Sequence, residues 1–378
     1  MKVAVIGAGV AGTAAAWAAA KAGAEVTLLH ERAGSSALMS GAADFDPWEL
    51  GHGAPELDAD ARELLGVLGF AATPAMVATA SGVTRPTSAR ATSLLDLSEL
   101  SGRRVAVADL VRHEWDASLL ARALGATTWA ARTGTRFEAR ALELDPARSL
   151  SVFDFAVRFD DATELEKLTR ALTTARGDAD GWLLGPWLGV RPGVAAELRG
   201  RLGVPVGEVL SPPGGVAGAR FEACRDALLE KARVEARRVR VEAVERSGER
   251  WQLRLEEGGS LAADRVVLAS GGAVGGGVVL EPARPNHPGG SGFQLSLAAP
   301  VSLEVDGQPI DAVSTLHGVD FASHGVGVLE RVGVAMDGLV ARGVPGLFVA
   351  GDAMADRPRT LLRALVSGLA AGRAISSR

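Results

Sequence analysis

The chain has 378 residues, which at roughly 150 residues per domain is length for two or three domains, and it is 47% hydrophobic yet only 4% aromatic, with no tyrosine. Without tyrosine the chemistry of short-chain dehydrogenases is excluded, and a single cysteine, Cys224, excludes an intramolecular disulfide framework, a redox-active cysteine pair and an iron–sulfur cluster held by this chain alone. The net charge of −5 comes from 40 basic and 45 acidic residues that are well mixed, so no nucleic-acid footprint stands out.

In chain order, residues 2–6 read as an apolar strand, 10–22 as a strong helix former and 25–29 as a second strand, a βαβ opening. The uncharged run 3–20 has the length of a signal peptide or membrane span. It is mostly Ala and Gly, lacks Leu and follows a lone Lys2, so it is expected to be part of the fold of a cytoplasmic protein without a transmembrane segment. A polar loop runs from 32 to about 55, and 58–68 is helical. The stretch 71–100, rich in Thr, Ser and Ala and carrying Pro74 and Pro86, shows no clear period.

From 103 to 210 a second α/β region alternates: strand 104–110, helix 117–124, strand 127–131, helix 161–174, strand 181–184, helix 194–202, strand 204–210. The SPPGGVAG segment at 211–218 marks a domain junction. After it, 219–237 forms an amphipathic helix with Phe221, Cys224, Leu228 and Ala232 on one face, which makes Cys224 a small buried apolar residue rather than a reactive thiol. Strands 238–245 and 250–256 flank a Ser-Gly turn. Residues 265–269 form a buried strand entering a Gly-rich stretch, and strand 346–350 and helix 359–374 close the chain.

The chemistry begins at Gly7-Ala8-Gly9-Val10-Ala11-Gly12, a GxGxxG between a strand and a helix. Gly7 permits the tight turn, Gly9 lets backbone approach a pyrophosphate, and Gly12 lets helix pack on strand, with the phosphates at the positive end of the helix. Glu31 ends the second strand nineteen residues after Gly12, placed to accept hydrogen bonds from an adenosine ribose. His30 beside it is expected near the adenosine. Two later landmarks, RVVLASGG at 265–272 and GLFVAGD at 346–352, each join a buried strand to a small-residue turn.

The second landmark resembles the C-terminal flavin motif of the glutathione-reductase-type FAD proteins. That resemblance implies a hydrogen bond from Asp352 to the ribityl chain and a closing helix aimed at the flavin ring. The three motifs together point to FAD, since FMN has no pyrophosphate or second ribose to occupy Gly7–Gly12 and Glu31. The expected fold is α/β, with a discontinuous Rossmann-like FAD-binding domain (1–45, 215–278 and 340–378), an inserted α/β domain (46–214) and a cap or substrate segment (279–339).

With the motifs placed, most of the chain resembles one branch of that superfamily, the B-type subunit of the anaerobic glycerol-3-phosphate dehydrogenase. MSGAADF at 39–45 is similar to the family's Ser-Gly-Ser-x-Asp-Leu stretch, VLASGGAVGGG at 267–277 to its strand-and-glycine segment, and HGVGV at 324–328 to the segment before the last flavin motif. The cofactor set is then Gly7, Ala8, Gly9, Gly12, Glu31 and Arg32 from the N-terminal unit, and Ser40 and Gly41 beside the flavin. Val244, Ser270, Gly271, Gly272, Gly351 and Asp352 complete it. The chain departs from the family at 353–359, AMADRPR in place of a Gly- and Cys-rich turn, and in Ala42 and Ala43 beside Asp44.

The resemblance implies oxidation of sn-glycerol 3-phosphate to dihydroxyacetone phosphate, with electrons passed to a quinone through flavoprotein and iron–sulfur partner subunits. Peripheral attachment to the inner face of the membrane through those partners belongs to the same expectation. Members of the family are often assigned FMN. Such a reaction needs a base for the hydroxyl proton and cations for the phosphate. Of six histidines, His287, His317 and His324 lie between the late flavin motifs and are the catalytic candidates, with ordinary loop histidines as the alternative. Arg284, Arg357, Arg359 and Arg363 are the phosphate candidates, and no metal site is assigned. Two other readings stay open: a non-catalytic flavin relay subunit, and a stand-alone FAD oxidase or dehydrogenase of another hydroxy or amino compound.

Overall fold

A computed structural model describes residues 1–31, 34–43, 53–281, 292–310, 314–315, 318–319, 328–357 and 359–376. The chain divides into two units, one of Met1–Ser36, Glu49–Ala61 and Arg225–Arg378, the other of Ala37–Trp48 and Arg62–Cys224. The division falls within the helix Val216–Lys231 rather than at the 211–218 junction.

The first unit opens with β1 (Lys2–Ile6), α1 (Val10–Lys21) and β2 (Glu25–His30). It continues with β3 (Glu235–Arg238), the antiparallel meander β4 (Val241–Ser247), β5 (Arg250–Leu255) and β6 (Ser260–Ala263), then β7 (Arg265–Leu268) and β8 (Leu347–Val349), and closes with α2 (Leu361–Ser376). Its main sheet has the order β3-β2-β1-β7-β8, all parallel, extended by the hairpin of Val340–Ala341 and Met336–Asp337. From β1 the chain moves to β2 on one side, and it later fills β7 on the other. The carboxyl ends of β1 and β7 therefore flank the switch point at which open α/β sheets bind ligands.

Both faces of this sheet are covered, which is why its central strands read as unbroken apolar runs. On one face Ile6, Leu29, Leu268 and Leu347 share a core with Val244, Trp251 and Leu253 of the meander. On the other, Val5, Leu28, Val267 and Phe348 meet Ala15, Ala16 and Ala19 of α1 and Ala371 and Ile375 of α2. All ten residues Val10–Ala19 are buried. The alanine content thus has a structural use: α1 touches the sheet on one side and α2 on another, and small side chains let all three approach closely. A Cβ on Gly368 would lie 2.1 Å from Ala11 O, and one on Gly372 would lie 2.4 Å from Ala15 O. Among the described residues no helix is long and apolar enough to cross a membrane.

The far ends of the two helices are tied to the segment before residue 61. Lys21 Nζ meets Asp60 at 2.9 Å, and Arg373 bonds both Asp58, at 2.7 Å, and Asp60. Hydrogen bonds from Arg373 to Asp58, and from Lys21 and Arg373 to Asp60, hold both carboxyls below the usual carboxylate range.

The second unit is built on a four-stranded parallel sheet in the order Val206–Glu208, Gly181–Leu184, Arg104–Asp109, Arg136–Ala141. Trp182 and Leu184 face one core with Phe155, Phe159 and Trp187, while Leu183 faces another with Trp115 and Leu120. The strand expected at 127–131 is instead part of the helix Thr128–Thr133. Thr127 Oγ accepts from Ala130 N–H at 3.2 Å as its N-cap, and Gly134 takes the left-handed C-cap. The strand comes next, at Arg136–Ala141, on the sheet edge.

The helix expected over 219–237 runs from Val216 to Lys231. Arg233 at φ 56° breaks it, and Glu235–Arg238 pairs with β2. Within the segment expected as a cap, Leu303–Val305 pairs with Gly333–Val334, and Leu303, Val305 and Val334 enter the core of the first unit.

Candidate functional site

The turn after β1 is fixed by close approach. Gly7 sits at φ +112°, donates its N–H to Leu29 O at 2.8 Å, and has Ala269 O only 2.1 Å from where a Cβ would stand. A Cβ on Gly12 would lie 1.8 Å from Gly7 O, so the first turn of α1 rests directly on the loop. The N-terminus of α1, with its partial positive charge, opens into a cavity of ≈ 940 Å³, its mouth included. There Val10 N–H donates to Ser36 Oγ at 3.0 Å.

Gly7, Ala8, Gly9, Glu31, Ser270, Gly271 and Asp352 all line this one cavity, brought together from the ends of β1, β2, β7 and β8. Glu31 is exposed at the rim, where Arg238 Nε donates to its backbone carbonyl at 3.4 Å. Ser270 Oγ is shielded from solvent with no hydrogen-bond partner among the described residues, a state that costs about 1–3 kcal/mol unless a ligand engages it. The backbone cradle and this orphaned hydroxyl fit a dinucleotide phosphate.

Asp352 follows β8. The preceding Gly351 donates its N–H to Ser367 Oγ of α2 at 2.9 Å. Burial pushes the Asp352 carboxyl above the usual carboxylate range, and Arg359 opposes that rise.

The remaining expected residues are distributed differently. Gly12 and Gly351 serve the framework, and Gly272 lies against Arg359. Val244 is buried in the core with its N–H on Ala298 O at 2.8 Å, and Val239, Arg240 and Val241 form that part of the cavity wall. Ser40 and Gly41 belong to the second unit, where Ser40 O accepts from Ser211 N–H and Gly41 O from Ala91 N–H. Arg32, Asp44, Arg284, His287, His317 and His324 lie outside the described residues. Cys224 is buried, 8% exposed, and burial pushes its thiol up. Sequence reasoning missed Ser35, Ser36, Gly275, Gly276 and Ser296. The Gly-rich run 271–277 was the one local signal for two of these.

Residues 2–82 match the family model of Glucose inhibited division protein A, and 212–273 match an FAD-NAD(P)-binding family model. These segments carry the GxGxxG, Glu31 and Ser270–Gly272. The cofactor is FAD. The fold is that of a Rossmann-like FAD-binding protein.

No curated protein matches the sequence. Similar solved structures include FqzB (12% identity, 72% of this chain and 36% of that one, TM-score 0.27). CabE, an aromatic hydroxylase from angucycline biosynthesis, is 13% identical over 100% of this chain and 62% of its own, with a TM-score of 0.37. Glycine oxidase from Geobacillus kaustophilus is 14% identical over 97% and 92%, with a TM-score of 0.35. The chain spans 36% of the length of FqzB and 62% of that of CabE.

Replacing Glu31 by Ala is expected to weaken FAD binding about tenfold or more, as loss of a charged acceptor for ribose hydroxyls would. Titration of the apoprotein followed by flavin fluorescence measures it, and an unchanged affinity would remove Glu31 from the ribose contact.

Proposed function

We propose that the chain is an FAD-dependent dehydrogenase like the B-type subunit of the anaerobic glycerol-3-phosphate dehydrogenase, oxidising sn-glycerol 3-phosphate to dihydroxyacetone phosphate. The observation that carries this reading is a second pocket, lined by Arg357 and Arg363, that shares Asp352 and Ala364 with the FAD cavity. Two arginines in one lining support a phosphate-bearing substrate, for which a guanidinium offers paired charge-assisted donors, and Arg363 Nη2 also donates to Gly53 O at 2.9 Å.

Bound FAD supplies the two-electron acceptor. The chain's own tasks are to hold the phosphate and to take the hydroxyl proton; His287, His317 and His324 remain the proposed bases. Electrons are proposed to leave through flavoprotein and iron–sulfur partner subunits to a quinone, since Cys224 is the chain's one cysteine and no disulfide route exists.

Anaerobic stopped-flow mixing of the FAD-loaded chain with millimolar sn-glycerol 3-phosphate is expected to bleach the flavin's visible absorbance. A solution that stays yellow overturns the oxidation of sn-glycerol 3-phosphate by this chain and leaves an electron-relay role or the oxidation of another compound. Bleaching by a different hydroxy or amino compound, with hydrogen peroxide formed in air without partners, identifies an oxidase instead.

A further inference from the structure

We propose that Arg225 is a positioning residue of the FAD site: from behind the glycine-rich turn its guanidinium holds Ala8 O, so that the Gly9 N–H faces the FAD pyrophosphate. This role rests on FAD occupying the cavity. Arg225 lies in the helix Val216–Lys231, and its side chain is only 5% exposed. Its Nη1 donates to Ala8 O at 3.3 Å. Its Nε and Nη2 each lie 2.8 Å from Oδ1 of Asp226, whose side chain is mostly exposed. Ala8 and Gly9 line the cavity, so the buried guanidinium acts through the turn rather than on the ligand.

The Ala8 carbonyl and the Gly9 N–H belong to one peptide unit. That unit is trans, so the two groups point in opposite directions. Pinning Ala8 O to Arg225 therefore turns the Gly9 N–H away from the guanidinium, and no described residue accepts from it. Charge points the same way. Gly9 is the N-cap of α1 without a side-chain capping bond, and the first turn of α1 holds no acidic residue. The helix end carries a partial positive charge, and Arg225 sets a full one behind it. Asp226 offsets part of that charge, but from a side chain that water screens. A buried cation beside a positive helix end is costly, and a pyrophosphate in the cavity supplies the anion that relieves it. The glycine motif gives no sign of this partner, because 217 positions separate Ala8 from Arg225.

The test is titration of the full apoprotein with FAD and with riboflavin, read by flavin fluorescence. Arg225→Met keeps much of the side chain's bulk and removes its charge and donors. Its Kd for FAD is expected to rise about tenfold or more, as loss of a charged hydrogen bond would, while its Kd for riboflavin, which has no phosphate, stays unchanged. Arg225→Gln takes the place of the methionine variant if thermal melting shows that the latter does not fold. Arg225→Lys restores the charge and a donor, and should bring FAD binding back to within about threefold of wild type. Asp226→Asn keeps an acceptor for Arg225 and removes the opposing charge, so it should bind FAD at least as tightly as wild type. Four results overturn the proposal: equal weakening by lysine and methionine, a loss shared by FAD and riboflavin, weaker FAD binding in Asp226→Asn, or wild-type FAD binding in Arg225→Met. Failure of the wild-type chain to bind FAD overturns the cofactor assignment instead.

Discussion

Gly368→Ala is expected to cost about 3 kcal/mol or more of stability, a large effect for one methyl group. The added Cβ would stand 2.1 Å from Ala11 O and 2.9 Å from Ala14 Cβ. Ala11 O is backbone inside a helix, so relief requires α1 and α2 to move apart along their whole crossing. Gly372, one turn later, stands in the same relation to Ala15 O, so the separation cannot be confined to one end. The propensity gain of alanine over glycine in a helix, about 1 kcal/mol, acts in the opposite direction and is outweighed. Gly200 supplies the control: it lies in the helix Val194–Leu202 with nothing within 4 Å of its would-be Cβ. There the same substitution should stabilise by roughly 0.5–1 kcal/mol. Thermal or urea unfolding of the two variants measures the contrast, and equal effects would refute a packing role for Gly368.

What could be read in the sequence was local or doubly buried. The GxGxxG, its strands and Glu31 fall within thirty residues, and each glycine there has a steric reason that chemistry alone supplies. β7 and β8 were legible because a strand covered on both faces shows an unbroken apolar run. Edge strands failed for the converse reason. All four residues of Glu235–Arg238 are exposed, so no alternation marks them, and their charges extended the apparent helix before them. Arg136–Ala141 is likewise an edge strand whose charged residues hide it. Thr127 opens the expected strand 127–131, but its hydroxyl acts as an N-cap, a competition that composition cannot decide.

The site was legible as motifs but not as walls. That Ser36 would bond Val10 N–H, or that Gly272 would meet Arg359, depends on loops joined only by the sheet order. Val244 shows the opposite limit: it lies on the right strand, but its side chain faces the core.

The cofactor turn gives the other large effect, and two of its glycines separate folding from binding. Gly7→Ala is expected to yield a chain that retains no flavin and is destabilised by several kcal/mol. It places a side chain at φ +112°, a strained region for any L-residue, and sets a Cβ 2.1 Å from Ala269 O. That oxygen immediately follows β7, paired to β1 through Ile6 and Leu268, so relief would pull the two strands apart and carry Ser270 away from the cavity. Loss of flavin there has two causes at once. Gly9→Ala has one. Gly9 has no positive φ, and its would-be Cβ meets only Ser36, with Oγ at 3.0 Å and Cβ at 3.9 Å, the end of a side chain that can rotate. The variant should therefore melt within a few degrees of wild type, since Ser36 Oγ need yield only a few tenths of an ångström, which leaves its bond from Val10 N–H in place. Its methyl group nevertheless stands where backbone must approach a pyrophosphate, so FAD affinity should fall at least tenfold while affinity for riboflavin, which lacks phosphate, stays unchanged. Equal binding of FAD by Gly9→Ala and wild type would show that the pyrophosphate does not rest on this turn.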